Sequence, residues 1–360
     1  MIVFQRDVHS ARMRALEQEL LSVPKDESLE FLHETAAAFV ARGLEEIRSN
    51  TIQRIWSADD GVLPLRARMT ETTFLAEFLY RFILSMSIMR LGANATGPIA
   101  LVAQGSFARR ELIPSSDFDG CLIIYDLDQQ SEAIIFIHHI TSRVFSQPAR
   151  ILPQVDQISF SANTQAECKH ILALLESRFV GGESILWRTW RTDFFLKLKR
   201  NWPLFVQTLR LWWRTREESE SFFDTARDSI FDLKESRGGM REFQMLLWIG
   251  EAYVILEANG IRALAELHDI PELWEWQALE RCHLVSSPEA LEMRAIYNHV
   301  RAVRAQIRAR WLFPSEYSAV AEHFGFSSID GFLDDLEQKR ERLFAFARIV
   351  LFDRIDGLQI

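Results

Sequence analysis

The sequence predicts an α+β protein that is predominantly helical, with a small α/β core flanked by N-terminal and C-terminal helical regions. Three observations support this prediction. The chain of 360 residues has only 15 glycines and 10 prolines, which favours long helices over many short strands. Apolar residues recur at helical spacing through most of the chain, and the pattern changes to short, continuous apolar runs only near residue 100. At about 150 residues per domain, the length indicates two or three domains.

The first region, residues 1–95, is predicted to be helical. Apolar side chains follow helical spacing from Ser28 to Ile47 and again from Thr70 to Leu91, and the segment 58–64 between them is typical of a loop. Charged residues interrupt the more apolar second helix, and each would sit near bilayer depth if the helix spanned a membrane. We therefore expect a buried helix and no membrane partner.

The second region, residues 96–165, is predicted to contain the α/β core. The run Ile99–Ala103 is typical of a buried strand, and the residues FDGCLIIY at 118–125 indicate a second one. A helix is expected from Ser131 to Phe145 and a third strand from Gln154 to Phe160. The order of strands and helices is that of a small α/β unit.

The third region, residues 166–360, is predicted to be a helical domain with breaks at glycines and prolines, including Gly181-Gly182. Within it, the run RAVRAQIRAR at 301–310 indicates a basic helical face. Such faces are usually solvated, although this one sits in an acidic protein and could meet an acidic partner.

The charge balance and the cysteines exclude several classes of protein. With 41 Lys and Arg against 50 Asp and Glu, the formal net charge is −9, and no basic run is long enough to follow a phosphate backbone. Nucleic acid is therefore not expected as a partner. The three cysteines are odd in number and far apart, so neither a disulfide framework nor a metal cage is indicated. Together with an N-terminus that lacks a signal-peptide pattern, they predict a reducing, cytoplasmic location.

The segment from residue 105 to 119 carries the candidate chemistry. Residues two apart on a strand face the same side, so Asp117 and Asp119 are expected to project together and could share one or two Mg²⁺ ions that bridge phosphate oxygens. Gly105 would let the backbone approach a phosphate, to which Ser106 and Arg109 could donate hydrogen bonds. The alternative is an ordinary turn capped by its own side chains.

A second motif, FDLKESRGGMREFQMLLWI, lies at residues 231–249. A Gly-Gly turn ahead of an amphipathic helix, flanked by Lys234 and Arg241, is typical of an anion site at a helix N-terminus. A plain loop with solvated charges is the alternative reading of the same pattern.

Both motifs resemble those of a known family. A strand, a Gly-Ser turn and an Asp-x-Asp pair eleven residues after the serine resemble the signature of the nucleotidyltransferase superfamily. The second motif is similar to the Lys-Glu-x-x-Gly-Gly-Leu-Arg-Asp segment of bacterial protein-PII uridylyltransferases, and residues 174–183 resemble the helix and turn that follow the catalytic motif there. The resemblance spans about residues 99–352.

The resemblance implies a role for each matching residue. Those that would hold the nucleotide are Gly105, Ser106, Arg109, Lys234, Gly239 and Arg241. Asp117 and Asp119 would be catalytic and bind the metal, and the family's third carboxylate on the next strand would be Asp156. A shift of one residue in register would turn Asp156 to the wrong face.

The implied reaction is a transfer of a nucleoside monophosphate, with UMP favoured, from an NTP to a hydroxyl of a PII-like regulatory protein. Mg²⁺ or Mn²⁺ would be the cofactor and pyrophosphate the second product. No His-Asp pair of the metal-phosphohydrolase kind follows Leu351, so we expect a short form without the hydrolase and ligand-sensing domains. Two alternatives remain open: a catalytically weak nucleotide-binding regulatory module, and a small-molecule nucleotidyltransferase.

Overall fold

The computed structural model describes residues 97–112, 116–128, 130–145, 147–218, 232–257, 279–281, 283–310 and 317–358, with positions 34 and 38 and individual positions between 69 and 92. The described positions from Met69 to Leu91 are helical, as predicted. The predicted helix from Ser28 lies outside the described residues except at positions 34 and 38, which are helical, and the predicted loop 58–64 also lies outside them.

A four-stranded mixed sheet forms the centre of the fold. Its strands are β1 (Ile99–Ala103), β2 (Gly120–Ile124), β3 (Arg150–Ile151) and β4 (Arg178–Gly182), in the order β3-β2-β1-β4. Strand β1 is antiparallel to both β2 and β4, whereas β2 and β3 run parallel. The sheet together with the helices around it confirms the predicted α+β, predominantly helical class.

Besides the helical positions near the N-terminus and those at 279–281, nine α-helices with described bounds accompany the sheet. They are α1 (Gly105–Ala108), α2 (Ser131–Phe145), α3 (Gln165–Leu175), α4 (Ser184–Arg200), α5 (Trp202–Glu217), α6 (Met240–Glu257), α7 (Ser287–Arg310), α8 (Tyr317–His323) and α9 (Ile329–Ile349). A π-helical turn, Val350–Arg354, extends α9. Among the described residues, no helix combines the length and the apolar character that a bilayer span requires.

The sheet separates two hydrophobic cores, because alternate residues of a strand point to opposite faces. Ala100 and Val102 belong to the core that the helices after the sheet build, whereas Leu101 and Ala103 belong to a second core with α2 and the helical positions upstream of β1. Every residue of β1 and β2 is buried, which explains their continuous apolar runs.

The predicted third strand, Gln154–Phe160, is wrong. Strand β3 ends before Pro153, and Val155–Gln157 forms a 3₁₀ turn. The alternation that indicated a strand comes from Ile158 and Phe160, whose side chains are buried in the helical core. The Phe160 carbonyl accepts a hydrogen bond from the Thr208 hydroxyl at 2.8 Å, so this segment is anchored to α5.

Strand β4 was not predicted, because the sequence from Thr164 onward reads as helical. Its Gly-Gly end is a paired strand terminus and not a break between helices. Gly182 has φ +87°, and a Cβ there would lie 2.2 Å from the Ile99 carbonyl oxygen. Only glycine permits this close approach of the two backbones.

Candidate functional site

One cavity of about 700 Å³ brings the two sequence motifs together. It lies between the α1 turn, the start of β2 and the helices α3, α6 and α7. Its lining includes seven residues predicted from the sequence, namely Gly105, Ser106, Arg109, Asp117, Asp119, Lys234 and Arg241. Two predicted residues, Asp156 and Gly239, are not among those that line it.

The turn at Gly105 supports the close approach of Asp119. Gly105 has φ +57°, and a Cβ at this position would lie 3.1 Å from Oδ2 of Asp119. The backbone N–H of Gln104 donates to the Asp119 carbonyl at 2.8 Å, which fixes the end of β1 against the start of β2. A glycine is therefore required here both for its left-handed backbone and for the space it leaves.

Asp117 and Asp119 lie in the segment without regular secondary structure that directly precedes β2. Phe118 between them is buried, whereas Asp117 is exposed and Asp119 is half-buried, so the two carboxylates share the cavity side. Asp119 is paired: Nη2 of Arg150, the first residue of β3, lies 2.9 Å from Oδ1. Asp117 has no ion pair or side-chain hydrogen bond within the described ranges.

The structure does not bring Asp156 to this pair. Asp156 is exposed on the 3₁₀ turn, where its carbonyl accepts a hydrogen bond from Nζ of Lys197 at 2.8 Å. Over the described ranges, no group of three or more His, Cys, Asp or Glu side chains is placed to hold a metal ion. Of the three carboxylates predicted to bind the metal, Asp117 and Asp119 therefore line the cavity and Asp156 does not.

Arg109 lines the cavity but is already occupied by ion pairs. Its Nε donates to Glu111 at 2.9 Å and its Nη1 pairs with Glu176. Burial alone would lower the pKa of Arg109, but Glu176 and Glu111 outweigh it and raise that pKa above its usual value. The indole N–H of Trp248 also donates to Glu176. Arg109 thus ties the turn to α3 and α6.

Glu111 links the α1 turn to helix α7. It accepts hydrogen bonds from the Tyr297 hydroxyl at 2.6 Å and from Nη1 of Arg301 at 3.1 Å. Burial favours its neutral form, but Arg109 and Arg301 outweigh burial and lower the pKa of Glu111 to about 2. This buried network fixes the position of α7 relative to the turn that precedes the two aspartates.

The second motif contributes Lys234 and Arg241 to the cavity. Burial, followed by the neighbouring Arg241 and Arg304, lowers the pKa of Lys234 to about 8. Arg241 is held by Glu235, 3.0 Å from its Nε, and by Gln244, 3.0 Å from its Nη1.

The Gly-Gly turn of this motif is structural. A Cβ at Gly239 would lie 2.6 Å from the Ser236 carbonyl oxygen, and one at Gly238, which has φ +66°, would lie 2.1 Å from the Arg340 carbonyl oxygen. The two glycines therefore let the loop fold tightly and pack against α9. Gly239 lies in close contact with its own loop and is not part of the cavity lining.

Helix α7 supplies three cavity residues that were not predicted to belong to the site: Arg301, Arg304 and Arg308. The prediction of a solvated basic face is wrong for Arg301, which is buried, and for Arg304 and Arg308, which are half-buried. Their spacing with Tyr297 places all four on one side of the helix. This helical spacing is the sequence signal that could have grouped the three arginines into one site.

The cavity combines a carboxylate pair with an excess of cations. Its lining has eight Lys and Arg side chains and six Asp and Glu side chains. Four of the cations, Lys169, Lys234, Arg304 and Arg308, form no ion pair with any described residue. A ligand that carries several negative charges, together with a small cation near Asp117, matches this distribution.

Comparison with known families agrees with the site. The DUF294 nucleotidyltransferase model matches residues 61–149, which contain the Gly-Ser turn and the aspartate pair. The GlnD PII-uridylyltransferase model matches residues 209–351, which contain Lys234, Arg241 and the cavity face of α7. Over these two segments the chain resembles PII-uridylyltransferases and a second family of nucleotidyltransferases. Residues of both matched segments line the cavity, together with residues of the segment between them.

Individual relatives match the chain at low identity. The chain is 26% identical over 215 residues to the bifunctional uridylyltransferase/uridylyl-removing enzyme of Burkholderia mallei (strain SAVP1). The matched region makes up 58% of this chain and 22% of that protein. The enzyme of the same name from Burkholderia lata is 25% identical over 240 residues, covering 63% of this chain and 25% of that protein. The chain spans about a quarter of the length of these relatives.

Proposed function

We propose that this protein transfers a nucleoside monophosphate from an NTP to a hydroxyl of a protein and releases pyrophosphate. One observation supports this most strongly: a single cavity contains Ser106, Asp117 and Asp119 beside the sheet together with Lys234 and Arg241 from the helical region. A volume of about 700 Å³ is in the range of small-molecule sites.

In this reaction the acceptor oxygen attacks the α-phosphorus, and a new O–P bond forms as the bond to the bridging oxygen of pyrophosphate breaks. The hydroxyl proton of the acceptor is released to solvent water, and the charge that develops on the leaving pyrophosphate must be stabilised. Lys234 and Arg241 place half-buried positive charge on the cavity, where electrostatic interactions are stronger than in bulk water. Ser106 offers a hydroxyl donor beside the turn.

The residues present fit one divalent ion that arrives with the nucleotide. Mg²⁺ is commonly bound by one or two carboxylates together with substrate phosphates and waters, and Asp117 and Asp119 supply two carboxylates on the cavity. The room that Gly105 leaves for Asp119 is consistent with such a ligand. When bound, Mg²⁺ or Mn²⁺ would neutralise phosphate charge. Asp117 and Asp119 are the residues that would hold it.

UTP as donor and a PII-like regulator as acceptor are the preferred partners. Both follow from the name of the matching family and from the names of the relatives. A direct test is to incubate the protein with Mg²⁺, each NTP in turn and a PII-like acceptor, and to measure the intact mass of the acceptor. We expect a UMP adduct and release of pyrophosphate.

Asp117→Asn should abolish the adduct, because it removes an exposed carboxylate of the cavity without disturbing the core. Asp128→Asn is the matched control, since Asp128 is exposed in the turn after β2 and does not line the cavity. If the folded wild-type protein gives neither adduct nor pyrophosphate with a competent acceptor, the proposal is wrong. Pyrophosphate release without a protein adduct would instead indicate a small-molecule acceptor.

A second candidate is a nucleotide-binding regulatory module with weak catalysis. Two observations favour it: Asp156 does not reach the cavity, and Arg150 neutralises Asp119. This candidate predicts saturable NTP binding that needs the same residues, but no pyrophosphate release with any acceptor. Measured binding without turnover would therefore favour it over the transferase.

A further inference from the structure

Helix α7 presents a line of three arginines to the cavity. Arg301, Arg304 and Arg308 are three and four residues apart, so they lie along one helical face, and all three line the cavity. The first of them has a structural role, because its guanidinium binds Glu111 at 3.1 Å and Asn298 at 3.0 Å. The hydrogen-bonding groups of Arg301 thus have acceptors within the protein.

Arg304 and Arg308 differ from Arg301 in this respect. The Nε atoms of both are buried and have no hydrogen-bond partner in the described part of the chain. Neither guanidinium forms an ion pair with any described carboxylate. A buried charged donor that loses its water and gains no partner is costly, so an arrangement with two of them indicates a missing acceptor.

Repulsion between neighbouring positive charges adds to the free-energy cost of burying Arg304 and Arg308. Burial and the adjacent Arg308 lower the pKa of Arg304, and Arg304 in turn helps to lower the pKa of Lys234. Like charges at this proximity repel each other, and a multivalent anion would reverse the sign of the interaction. Guanidinium groups bind phosphate oxygens through paired, charge-assisted hydrogen bonds.

We propose that Arg304 and Arg308, together with Lys234, form a polyphosphate subsite on the α6–α7 side of the cavity. This inference rests on the proposed function and extends it: the ligands would be the phosphates of the bound NTP beyond the α-phosphate, and the pyrophosphate that leaves. The cavity volume of about 700 Å³ suits a small polyanion, which is why we favour it over an acidic peptide.

The test is isothermal titration calorimetry of tripolyphosphate without metal, and of a non-hydrolysable UTP analogue with Mg²⁺. Arg304→Gln and Arg308→Gln should each weaken tripolyphosphate binding by about tenfold or more, because each removes charge-assisted hydrogen bonds. Arg294→Gln is the matched control, because Arg294 is on the same helix but does not line the cavity. This variant should bind tripolyphosphate with the affinity of the wild type.

Circular dichroism of each variant establishes that it is folded. Arg304→Lys keeps the charge but not the fork of donors, so it should bind tripolyphosphate with an affinity between those of the wild type and Arg304→Gln. Binding needs neither an acceptor nor turnover, so a loss confined to the α7 cavity variants supports the subsite even if no UMP transfer is found. Unchanged tripolyphosphate binding in both glutamine variants, or none by the wild type, would overturn the proposal.

Discussion

Nη2 of Arg150 lies 2.9 Å from Oδ1 of Asp119, so a cation already neutralises one of the two carboxylates at the cavity. The side chains are 58% and 31% exposed, and pairs of this kind contribute about 0.2–1 kcal/mol. Such a pair is weak enough for a divalent ion to displace. Arg150, released from Asp119, would remain beside the phosphates that arrive with the ion.

Replacing Arg150 tests whether its side chain competes with a divalent ion for Asp119. We expect Arg150→Ala to tighten the binding of Mn²⁺ in the absence of nucleotide by up to about fivefold, the equivalent of the pair's free energy. Electron paramagnetic resonance of free Mn²⁺ measures it. Arg188→Ala, at an exposed position of α4 outside the cavity, should change nothing. Weaker Mn²⁺ binding by Arg150→Ala would contradict this account of the pair.

The buried network around Glu111 should dominate the stability of the junction between the α1 turn and α7. Glu111→Gln leaves Arg109 and Arg301 without their shared charge, and the loss of one partner from a buried ion pair costs about 3 kcal/mol or more. Urea unfolding measures this loss. The exposed Glu322→Gln, which breaks no ion pair, is the control. Equal unfolding midpoints for the two variants would disprove the role of the network.

Gly238 tests whether the Gly-Gly turn is needed for packing. Gly238→Ala places a Cβ 2.1 Å from the Arg340 carbonyl oxygen at φ +66°. Gly325 has φ +83° but open space around it, so Gly325→Ala measures the backbone strain alone, about 1 kcal/mol. We expect Gly238→Ala to cost about 1–3 kcal/mol more by chemical denaturation. Equal losses of unfolding free energy in the two variants would show that α9 moves to accommodate the Cβ at no cost in stability, and that this packing does not require a glycine.

Lys234 should couple nucleotide binding to proton uptake. Its pKa in the free protein is lowered from 10.5 to about 8, so the side chain is partly neutral at about pH 8.5. A bound polyphosphate favours the charged form and raises this pKa, so the protein takes up as much as about one proton on binding, and its affinity falls as the pH rises above 8.

Calorimetry in two buffers of different ionisation enthalpy detects that uptake at about pH 8.5. Near pH 6.5 Lys234 is already protonated and should contribute none. Lys234→Met removes the titrating group and should remove the buffer dependence at about pH 8.5. Heats that do not depend on the buffer in the wild type would rule out the coupling.

The parts of the site that the sequence predicts are local ones. The Gly-Ser turn and the pair Asp117 and Asp119 are set by a short spacing and by strand alternation, and the structure brings them together as expected. Asp156 was expected on a third strand because the alternation of apolar residues at Ile158 and Phe160 is typical of a strand. In the structure these two side chains instead anchor an irregular segment to the helical core, and Asp156 lies on a 3₁₀ turn.

Other residues could not be assigned because their roles depend on tertiary packing. Helical spacing shows that Arg304 and Arg308 share a face, but not whether that face meets water or a cavity. Likewise, the glycine pattern at Gly239 indicates a tight turn, whereas only the fold shows that its close contacts are to its own loop. Strand β4 escaped prediction because its pairing with β1 is long-range.

The central claim is that one cavity binds the NTP between the α1 turn and α7. A crystal structure with Mg²⁺ and a non-hydrolysable UTP analogue tests it most directly. We predict phosphate oxygens within hydrogen-bonding distance of Ser106 and Arg304, with the ion on Asp117. A nucleotide bound with its phosphates outside this cavity, and with Arg304 still without an acceptor, would contradict the claim.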